Sequence, residues 1–407
     1  MRILYLTQGF PSDGMVGGQI SSFYRIAQFV RAGHDVTVLS LVPTGDSLTS
    51  PGRLSELCRV VAVPDVPSAS TLRMALGVFD PLPWPIRRYA SKAAGRRAVE
   101  LIGELDPDLI FFNSLHSTSL VPAVRAATDA PRVLFCPNVQ TTIMQLFAAH
   151  QRSIPAKLYA SDQAAKMRRY EGEHVLGFNA VCVYSREDGE GLSSLSPGLR
   201  TARTPMALDL DAMGAPAAPD FDVLLTGSFE WAPNVDSLDW FLRTIHPRII
   251  ERRPGTSVRV VGPGSERLRT KWPAPGVMYE GAVGDIAPFF RTARLLVVPL
   301  RIGSGVRVKI VQAFGARLPV VSTSKGCEGL DVTDGRQLAV ADEPEAFAEA
   351  VTRLLDDADA RSALASAGRA LAEERHDAGA SELPLVRLCE RLAGLGDKGN
   401  RDRGDRD

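Results

Sequence analysis

Residues 299–310 read PLRIGSGVRVKI and combine two glycines with three basic residues. This segment follows an apolar run at 295–298, LLVV, which is typical of a buried strand. It also opens an amphipathic stretch that predicts a helix over about 305–316, with an apolar face formed by Val306, Ile310, Ala313 and Phe314. A strand, a glycine-rich turn and a helix in this order indicate one βα unit of an α/β domain.

The turn within this segment has the features of an anion-binding site. Unpaired amide hydrogens at the start of a helix, together with the helix dipole, attract negative charge. Gly303 and Gly305 let a phosphate group approach the backbone closely, and Arg307 and Lys309 can add charge-assisted hydrogen bonds. The alternative is a common glycine-rich turn with two solvated cations, and the segment by itself does not separate the two.

The same alternation of strand and helix occurs in two series along the chain. In the first series, apolar runs predict strands at 3–6, 35–40, 60–63, 109–112, 133–135 and 180–183. In the second series they predict strands at 221–226, 257–261, 295–298, 318–322 and 337–340. The strands are apolar throughout and alternate with helical patterns, which indicates parallel sheets covered on both faces. The clearest of the other helical patterns lie at 85–105, 156–177 and 235–251.

These two series predict two domains, which is also the expectation for a chain of 407 residues. We expect two doubly wound Rossmann-like domains that face each other across a cleft, with ligands at the carboxyl ends of the strands. The predicted domains are 1–205 and 206–380, with a linker rich in Ala, Pro and Gly at 212–219. A C-terminal helix at 381–395, packing back on the first domain, and a disordered tail at 396–407 complete this prediction.

Composition excludes several classes of protein. The formal net charge is zero, so no electrostatic argument favours nucleic acid as a partner. The five cysteines, scattered and without metal-ligand spacing, indicate buried free thiols in a reducing compartment. No apolar run approaches the roughly 20 residues of a membrane-spanning helix, and the N-terminus lacks the form of a signal peptide. We therefore expect a cytoplasmic protein.

A second loop, TGSFEWAPNV at 226–235, joins a predicted strand to a predicted helix at the corresponding place in its βα unit. This loop would bring Gly227 and Ser228 close to the phosphates of a ligand, with Asn234 as the N-cap of the helix. The alternative is a packed turn with Trp231 in the core of the domain.

With both loops considered, the chain resembles the retaining GT-B glycosyltransferases of glycosyltransferase family 4, over nearly its whole length. In the C-terminal half the resemblance is carried by TGS at 226–228, PNVD at 233–236, VVG at 260–262, YEG at 279–281, GSGVRVKI at 303–310, LPVVST at 318–323 and EGL at 328–330. In the N-terminal half it is carried by the less specific Gly17-Gly18 and RAGHDVT at 31–37.

The resemblance implies that the C-terminal domain binds a nucleotide-sugar donor and the N-terminal domain an acceptor. Arg307, Lys309 and backbone amides would stabilise the diphosphate leaving group while the sugar is transferred with retention of its anomeric configuration. The resemblance implies no divalent metal and no cofactor beyond the donor, for which a UDP-sugar is expected. The implied donor contacts in the C-terminal domain are Gly227, Ser228, Gly262, Val283, Gly303, Ser304, Gly305, Val306, Gln312, Glu328 and Gly329.

Several positions depart from the family pattern. The family has two glutamates with seven residues between them, where this chain has Ser304 and Gln312. Gln312 can still hydrogen-bond a ribose, but a neutral bond is about half as strong as a charge-assisted one. Relatives also carry a histidine that contacts the donor sugar in a His-Asn-Val-Glu run, and here Pro137 stands in its place before Asn138.

His116 is the candidate that could replace the missing histidine, because it follows another predicted strand of the N-terminal series. Together with Gly17 and Gly18 it would serve the acceptor side, with Asn138 nearby. The alternative is a histidine with a structural role only. The acceptor itself could be a small molecule, a glycan or a lipid-linked molecule.

Two further functions stay open on the sequence. A degenerate GT-B protein would bind a nucleotide or a sugar without catalysis, for example as a partner subunit, and Gln312 together with the missing histidine motivates this alternative. A GT-B sugar-nucleotide epimerase would need acidic residues in the cleft, of which the sequence offers few. The acidic string DLD at 209–211 is interpreted as a solvated turn and not as a metal site.

A basic stretch at 85–97, PIRRYASKAAGRR, predicts a helical face with positive charge in the acceptor-side domain. Membrane-associated relatives use such a face to contact anionic lipid and collect a lipid-linked acceptor, which would place the protein at the inner face of a membrane. The alternative is a solvated charged face, since the chain as a whole carries no net positive charge.

Overall fold

The computed structural model describes residues 1–12, 17–44, 51–67, 77–149, 151, 153–378 and 384–395. The chain divides into two compact units by the contacts between its residues. The first unit comprises residues 1–12, 25–204 and 382–407, and the second comprises residues 13–24 and 205–381. The predicted tail at 396–407 lies outside the described residues.

The first unit is built on a sheet of seven parallel strands. They are β1 (Arg2–Gln8), β2 (Asp35–Pro43), β3 (Arg59–Val66), β4 (Leu109–Phe112), β5 (Arg132–Cys136), β6 (Ala180–Val183) and β7 (Thr201–Arg203). Their order in the sheet is β3-β2-β1-β4-β5-β6-β7. The central strands are apolar on both faces, and all four residues of β4 are buried, so the sheet must be covered by helices on each side.

The helices that lie between these strands in the chain belong to the first unit, except for residues 17–24 at the start of the first helix, which group with the second unit. They are α1 (Gly17–Arg31), α2 (Leu54–Leu57), α3 (Trp84–Arg87), α4 (Lys92–Leu105), α5 (Val121–Ala127), α6 (Gln140–Ala149), α7 (Ile154–His174) and α8 (Arg186–Leu195). Short 3₁₀ turns lie at Gly77–Phe79, Leu115–Leu120 and Val175–Gly177. Serine side chains cap three of these helices. Ser91 Oγ accepts the amide hydrogen of Ala94 across 2.9 Å, Ser153 Oγ accepts that of Ala156 across 3.4 Å, and Ser185 Oγ accepts that of Asp188 across 3.0 Å.

An arginine lies inside the core of the first unit. Arg25 of α1 is only 5% exposed, and its guanidinium carbon lies 3.6 Å from the centre of the Phe135 ring. It donates hydrogen bonds to Oδ1 of Asn113 across 2.5 Å and to the hydroxyl of Tyr5 across 3.1 Å. These contacts tie α1 to β1 and to the end of β4, and nothing in the sequence pattern distinguishes Arg25 from a solvated helix residue.

The second unit contains a sheet of six parallel strands. They are β8 (Phe221–Thr226), β9 (Val258–Val261), β10 (Val277–Gly281), β11 (Ala293–Val298), β12 (Val320–Ser322) and β13 (Ala339–Val340). Their order is β10-β9-β8-β11-β12-β13. Apolar side chains of β8, β9 and β11 form the centre of the core together with residues of the flanking helices.

The helices of the second unit complete its α/β layers. They are α9 (Ala232–Trp240), α10 (His246–Arg252), α11 (Ser265–Leu268), α12 (Ala287–Thr292), α13 (Val308–Gly315), α14 (Pro344–Asp356) and α15 (Ala358–Arg375). A 3₁₀ turn lies at Asp211–Met213, and a π-helical turn, Phe241–Ile245, joins α9 to α10. The last described helix, α16 (Pro384–Leu392), groups with the first unit.

The prediction of two Rossmann-like domains with parallel sheets is confirmed, although two strands were missed. β7 has only three residues and β10 is half-buried, so neither presents the apolar run from which strands are predicted. The predicted helical stretch at 85–105 is divided into two helices, because the backbone is extended at Ser91, where a new helix begins. The predicted basic face at 85–97 is therefore divided between α3 and α4.

The segment predicted as a linker has ordered contacts within the second unit. The amide of Ala217 donates to the carbonyl oxygen of Arg291 across 2.9 Å, and the amide of Asp220 donates to that of Thr292 across 2.8 Å. The five cysteines are free as predicted, and all except the half-buried Cys58 are buried. Within the described part of the chain, no helix combines the length and apolar character needed to span a bilayer.

Candidate functional site

The carboxyl ends of the strands in the second sheet carry the residues predicted to bind a donor. The strands β8 and β11 are neighbours in this sheet, yet the chain leaves them toward opposite edges. Such a switch point is where open α/β sheets bind their ligands. The loops that follow β8, β9, β10, β11 and β12 hold Gly227, Ser228, Gly262, Val283, Gly303, Ser304, Gly305, Val306, Arg307, Glu328 and Gly329.

Two of these loops approach so closely that the contact requires glycine. Gly262 has a φ of 140°, and a Cβ atom built on it would lie 1.9 Å from the carbonyl oxygen of Gly227. The amide of Gly227 in turn donates to the carbonyl oxygen of Val261 across 3.1 Å. The loop after β8 is thus fixed against the loop after β9, which explains the glycine in each of the two motifs.

The glycine-rich turn after β11 depends on left-handed backbone at Gly303 and Gly305, whose φ values are 140° and 83°. Arg307 folds back into this turn, and its guanidinium group donates to the carbonyl oxygens of Ser304 and Gly305, each across 2.5 Å. A further N–H of Arg307 reaches the carbonyl oxygen of Lys325 across 3.4 Å. Arg307 is therefore buried and braces the turn, and it also places a positive charge there.

The helix after this turn begins later than predicted. Arg307 has an extended backbone, with φ −89° and ψ 101°, so α13 starts at Val308. Val306 consequently lies in the turn and not on the apolar face of the helix, and that part of the prediction is wrong. Lys309 lies in the first turn of α13, and the half-buried Gln312 follows one turn later.

Lys309 reaches from α13 to the end of β8. Its amino group donates to the carbonyl oxygen of Thr226 and, across 3.4 Å, to Oδ1 of Asn234. Asn234 also donates from Nδ2 to the carbonyl oxygen of Ser228 across 2.8 Å. The prediction of Asn234 as an N-cap is wrong, because α9 begins directly after Trp231 and Asn234 lies inside it. Its side chain instead connects Lys309 to the loop after β8.

The surroundings of Lys309 change its protonation. Desolvation, and to a smaller extent the charge of Arg307, lowers the pKa of Lys309 to about 7. Lys309 makes no ion pair with any residue that the structure describes. A diphosphate placed beside it would supply negative charge and favour the protonated amine.

We expect the affinity for a nucleoside diphosphate to fall as the pH rises above about 7. The bound diphosphate raises the pKa of Lys309, so binding takes up a proton wherever the free amine is neutral. The dissociation constant should rise by up to about tenfold per pH unit until the pKa of the complex is reached. Calorimetric titration in buffers of different ionisation enthalpy measures this proton uptake directly.

Lys309→Arg is the control for this prediction, because an arginine stays charged over the whole pH range. The variant should bind the diphosphate with a flatter pH profile and without the proton uptake. Equal proton uptake by the wild type and the variant would assign the titration to another group.

The loop after β12 contains an ion pair that was not predicted from the sequence. The amino group of Lys325 lies 2.7 and 2.8 Å from the two carboxylate oxygens of Glu328. Gly329, directly after this pair, has a φ of 82°. Trp231, in the loop after β8, is 39% exposed, so the alternative that places it in the core of the domain is wrong.

His116 lies at the corresponding edge of the first sheet, in the 3₁₀ turn after β4. Ser114 Oγ donates to Oε1 of Gln8 across 2.7 Å and lies 3.5 Å from Nδ1 of His116. Because Gln8 ends β1 and β1 adjoins β4, this histidine stands at the switch point of the first sheet. Burial, and to a smaller extent the charge of Arg88, lowers the pKa of His116 to about 4, so the imidazole is neutral at pH 7.

The other predicted site residues in the N-terminal half are Asn138, Gly17 and Gly18. Asn138 follows β5, and its Oδ1 accepts a hydrogen bond from Nε2 of Gln140 across 2.6 Å. Gly17 and Gly18 form the start of α1, which follows β1 in the chain. A Cβ atom built on Gly18 would meet nothing within 4 Å, so packing does not explain the glycine at that position.

The second unit matches a known protein family. Residues 220–357, which contain all six strands of the second sheet and the glycine-rich turn, match the family described as "Glycosyl transferases group 1". Over 359 residues the chain is 20% identical to "Uncharacterized 44.6 kDa protein in cps region" of Klebsiella pneumoniae. That alignment covers 86% of this chain and 89% of the relative.

Solved structures share the whole fold. Sucrose-phosphate synthase (tll1590) from Thermosynechococcus elongatus superimposes with a TM-score of 0.72 at 15% identity, covering 97% of this chain and 99% of the other. Anabaena Alr3699/HepE in complex with UDP and glucose superimposes with a TM-score of 0.67 at 16% identity, covering 97% of this chain and 100% of the other. These similarities confirm the predicted resemblance to GT-B glycosyltransferases.

Proposed function

We propose that this chain is a glycosyltransferase that moves a sugar from a nucleoside-diphosphate donor to an acceptor hydroxyl or amine. The observation that carries the proposal is the position of Arg307 and Lys309, two neighbouring basic residues at the switch point between β8 and β11. The match of residues 220–357 to "Glycosyl transferases group 1" supports the same class of reaction.

In the proposed reaction, the bond between the sugar and the diphosphate breaks and leaves negative charge on the diphosphate. Arg307 is fixed by the carbonyl oxygens of its own turn, and Lys309 is fixed by Thr226 and Asn234. Positive groups that are already in place stabilise this charge without reorganisation during the reaction. We propose that the configuration is retained, on the resemblance of these motifs to the retaining enzymes of family 4.

The donor we propose is a UDP-sugar. Support comes from the fold shared with Anabaena Alr3699/HepE, whose structure was determined with UDP and glucose. On the acceptor side, the neutral His116 can exchange a hydrogen bond with an acceptor hydroxyl, but it adds no positive charge at pH 7. The acceptor is proposed to be a small molecule, a glycan or a lipid-linked molecule.

Chelation of divalent metals should leave the transfer rate unchanged. Arg307 and Lys309 together supply the positive charge that a metal ion would otherwise bring to the diphosphate. The rate of nucleoside diphosphate release in the presence of EDTA, compared with the rate in magnesium, tests this expectation. Loss of activity in EDTA that magnesium restores would contradict the metal-independent mechanism.

Gln312 favours a second candidate function, in which the protein binds a nucleotide sugar without transferring it. A neutral amide next to the ribose provides weaker binding than the carboxylate it replaces. The two functions differ in one observable, the release of nucleoside diphosphate from a donor by transfer or by slow hydrolysis.

Thermal unfolding with a panel of nucleotides tests both functions at once. We expect uridine diphosphate and its sugars to raise the unfolding midpoint more than guanosine or thymidine diphosphates do. A ligand at about a hundred times its dissociation constant adds about 2.7 kcal/mol to the free energy of unfolding, which is readily measured. The absence of any shift with every nucleotide would contradict both candidate functions.

Gln312→Glu should tighten the binding of uridine diphosphate by about fivefold, because a hydrogen bond to a charged group contributes about 1 kcal/mol more than a neutral one. The gain should disappear with 2′,3′-dideoxyuridine diphosphate, which has no ribose hydroxyls to donate. Calorimetric titration measures both affinities, and an equal gain with the two ligands would place Gln312 away from the ribose.

A further inference from the structure

The first unit contains a pocket of about 480 Å³ that none of the residues discussed as donor contacts lines. It lies at the carboxyl ends of β2 and β3, beside α3, and its volume is in the range of about 300–1,000 Å³ typical of small-molecule sites. Its walls include Thr44, Asp65, Pro67, Trp84, Arg87 and Arg88. A ring-sized ligand with polar substituents therefore fits both its volume and its lining.

The two arginines of this pocket differ in their pairing. Arg87 forms an ion pair with Asp80, so its charge is compensated within the protein. Arg88 donates from Nε to the carbonyl oxygen of Pro67 across 3.1 Å, which fixes the guanidinium group at the wall of the pocket. Its two terminal nitrogens bond to no residue in the described part of the chain, and neither does it form an ion pair there.

Two other residues of the pocket are held in place by hydrogen bonds. Asp65 accepts a hydrogen bond from Ser91 Oγ across 2.5 Å at one carboxylate oxygen. Its other oxygen bonds to no described residue and can accept a ligand hydroxyl. The backbone of Trp84 is anchored by Gln163, whose Oε1 accepts the Trp84 amide across 2.7 Å, and the half-buried Trp84 lines the wall of the pocket.

The pocket adjoins the predicted acceptor side of the protein. Tyr89, next to Arg88, packs its ring edge-on against His116 with 5.5 Å between ring centres. Ser119 Oγ donates to the carbonyl oxygen of Tyr89 across 3.0 Å and holds the two segments together. The positive charge of Arg88 also acts on His116, at the switch point of the first sheet. Pocket and switch point thus form one continuous edge of the first unit.

We propose that this pocket binds a saccharide that carries an anionic group. The guanidinium group of Arg88 binds the anion with its two terminal nitrogens, in the paired geometry that suits a carboxylate or a phosphate. Asp65 accepts hydrogen bonds from ring hydroxyls, and the indole of Trp84 covers an apolar face of the ring. Its use as the acceptor pocket rests on the proposed transfer reaction, whereas the binding itself does not.

The test is a comparison of three ligands that differ only at C6: methyl glucoside, methyl glucuronide and methyl glucoside 6-phosphate. Titration without nucleotide, followed by ligand NMR or calorimetry, gives the three dissociation constants. We expect the two anionic ligands to bind about tenfold more tightly than the neutral one, since charge-assisted hydrogen bonds are about twice as strong as neutral ones. Whichever of the two anionic ligands binds more tightly shows whether the pocket prefers a uronate or a sugar phosphate.

Arg88→Gln should remove the preference for the anions, and Arg88→Lys should keep part of it. Arg96→Gln is the matched control, because Arg96 is an exposed residue of α4 that does not line the pocket and its loss changes the net charge equally. Asp65→Asn should weaken all three ligands by a similar factor. Equal binding of charged and neutral ligands by the wild type, or an equal effect of the Arg88 and Arg96 variants, would overturn the proposal.

Titration of the same samples with uridine diphosphate separates this proposal from the proposed function. Binding of the nucleotide without any binding of the anionic saccharides refutes the pocket assignment and leaves the donor site intact. Binding of the anionic saccharides without nucleotide binding supports the pocket and refutes the donor assignment.

Discussion

Replacing Arg307 by alanine should lower the rate of sugar transfer by about 10²–10³-fold, the usual effect of removing one preorganised donor from a developing anion. The guanidinium group is fixed by the carbonyl oxygens of Ser304 and Gly305, so in the proposed reaction it acts on the diphosphate without a search for the right conformation. Steady-state rates of nucleoside diphosphate release, with donor and acceptor both saturating, measure the effect on kcat. Guanidine added to the solution should restore part of the lost rate.

The same substitution also removes a structural contact, so its effect on stability must be separated from its effect on catalysis. Two buried carbonyl oxygens lose their donor, and this should cost about 1–3 kcal/mol of unfolding free energy. Arg301→Ala is the matched variant, because Arg301 is exposed and its ion pair with Asp236, 2.6 Å long, contributes at most about 1 kcal/mol. It should transfer at the wild-type rate. Normal turnover by Arg307→Ala would show that Arg307 takes no part in catalysis.

Replacing Gly262 by alanine should destabilise the second unit and abolish nucleotide binding together. The new Cβ atom would lie 1.9 Å from the carbonyl oxygen of Gly227, at a φ of 140° that L residues rarely adopt. Overpacking and backbone strain each cost about 1–3 kcal/mol, so a loss of about 3 kcal/mol or more is expected. Denaturant unfolding measures the loss, and thermal shift with uridine diphosphate measures the binding.

Gly284→Ala is the control on the same edge of the sheet. Its Cβ atom would meet nothing within 4 Å, and Gly284 is exposed, so both stability and nucleotide binding should stay near wild type. A well-folded Gly262→Ala protein with normal nucleotide affinity would show that the loops after β8 and β9 have no part in the site.

The residues of the second unit that could be predicted share a local signal. Gly227 and Gly262 stand directly after apolar strands, and Gly303 and Gly305 follow within seven residues of the end of β11, so a short sequence window contains both the strand and the turn. The basic pair Arg307 and Lys309 was predicted for the same reason. All four glycines have positive φ.

Other features depend on residues that are distant in the chain and therefore left no local pattern. The role of Asn234 follows from its contact with Lys309, 75 positions away, and not from its place in a helix. The pocket of the first unit brings together Asp65 of β3 and Arg88, which directly follows α3. The late start of α13 is a local exception: the backbone of Arg307 is extended, and its side chain bonds to the carbonyl oxygen of Ser304, three positions earlier.

A crystal structure of the protein with uridine diphosphate tests the central claim most directly. The diphosphate should lie at the glycine-rich turn, with phosphate oxygens about 2.7–3.2 Å from the side-chain nitrogens of Arg307 or Lys309 and from amides of the turn. A uridine diphosphate bound elsewhere, with both side chains still bonded only to protein oxygens, would contradict the assignment of the donor site.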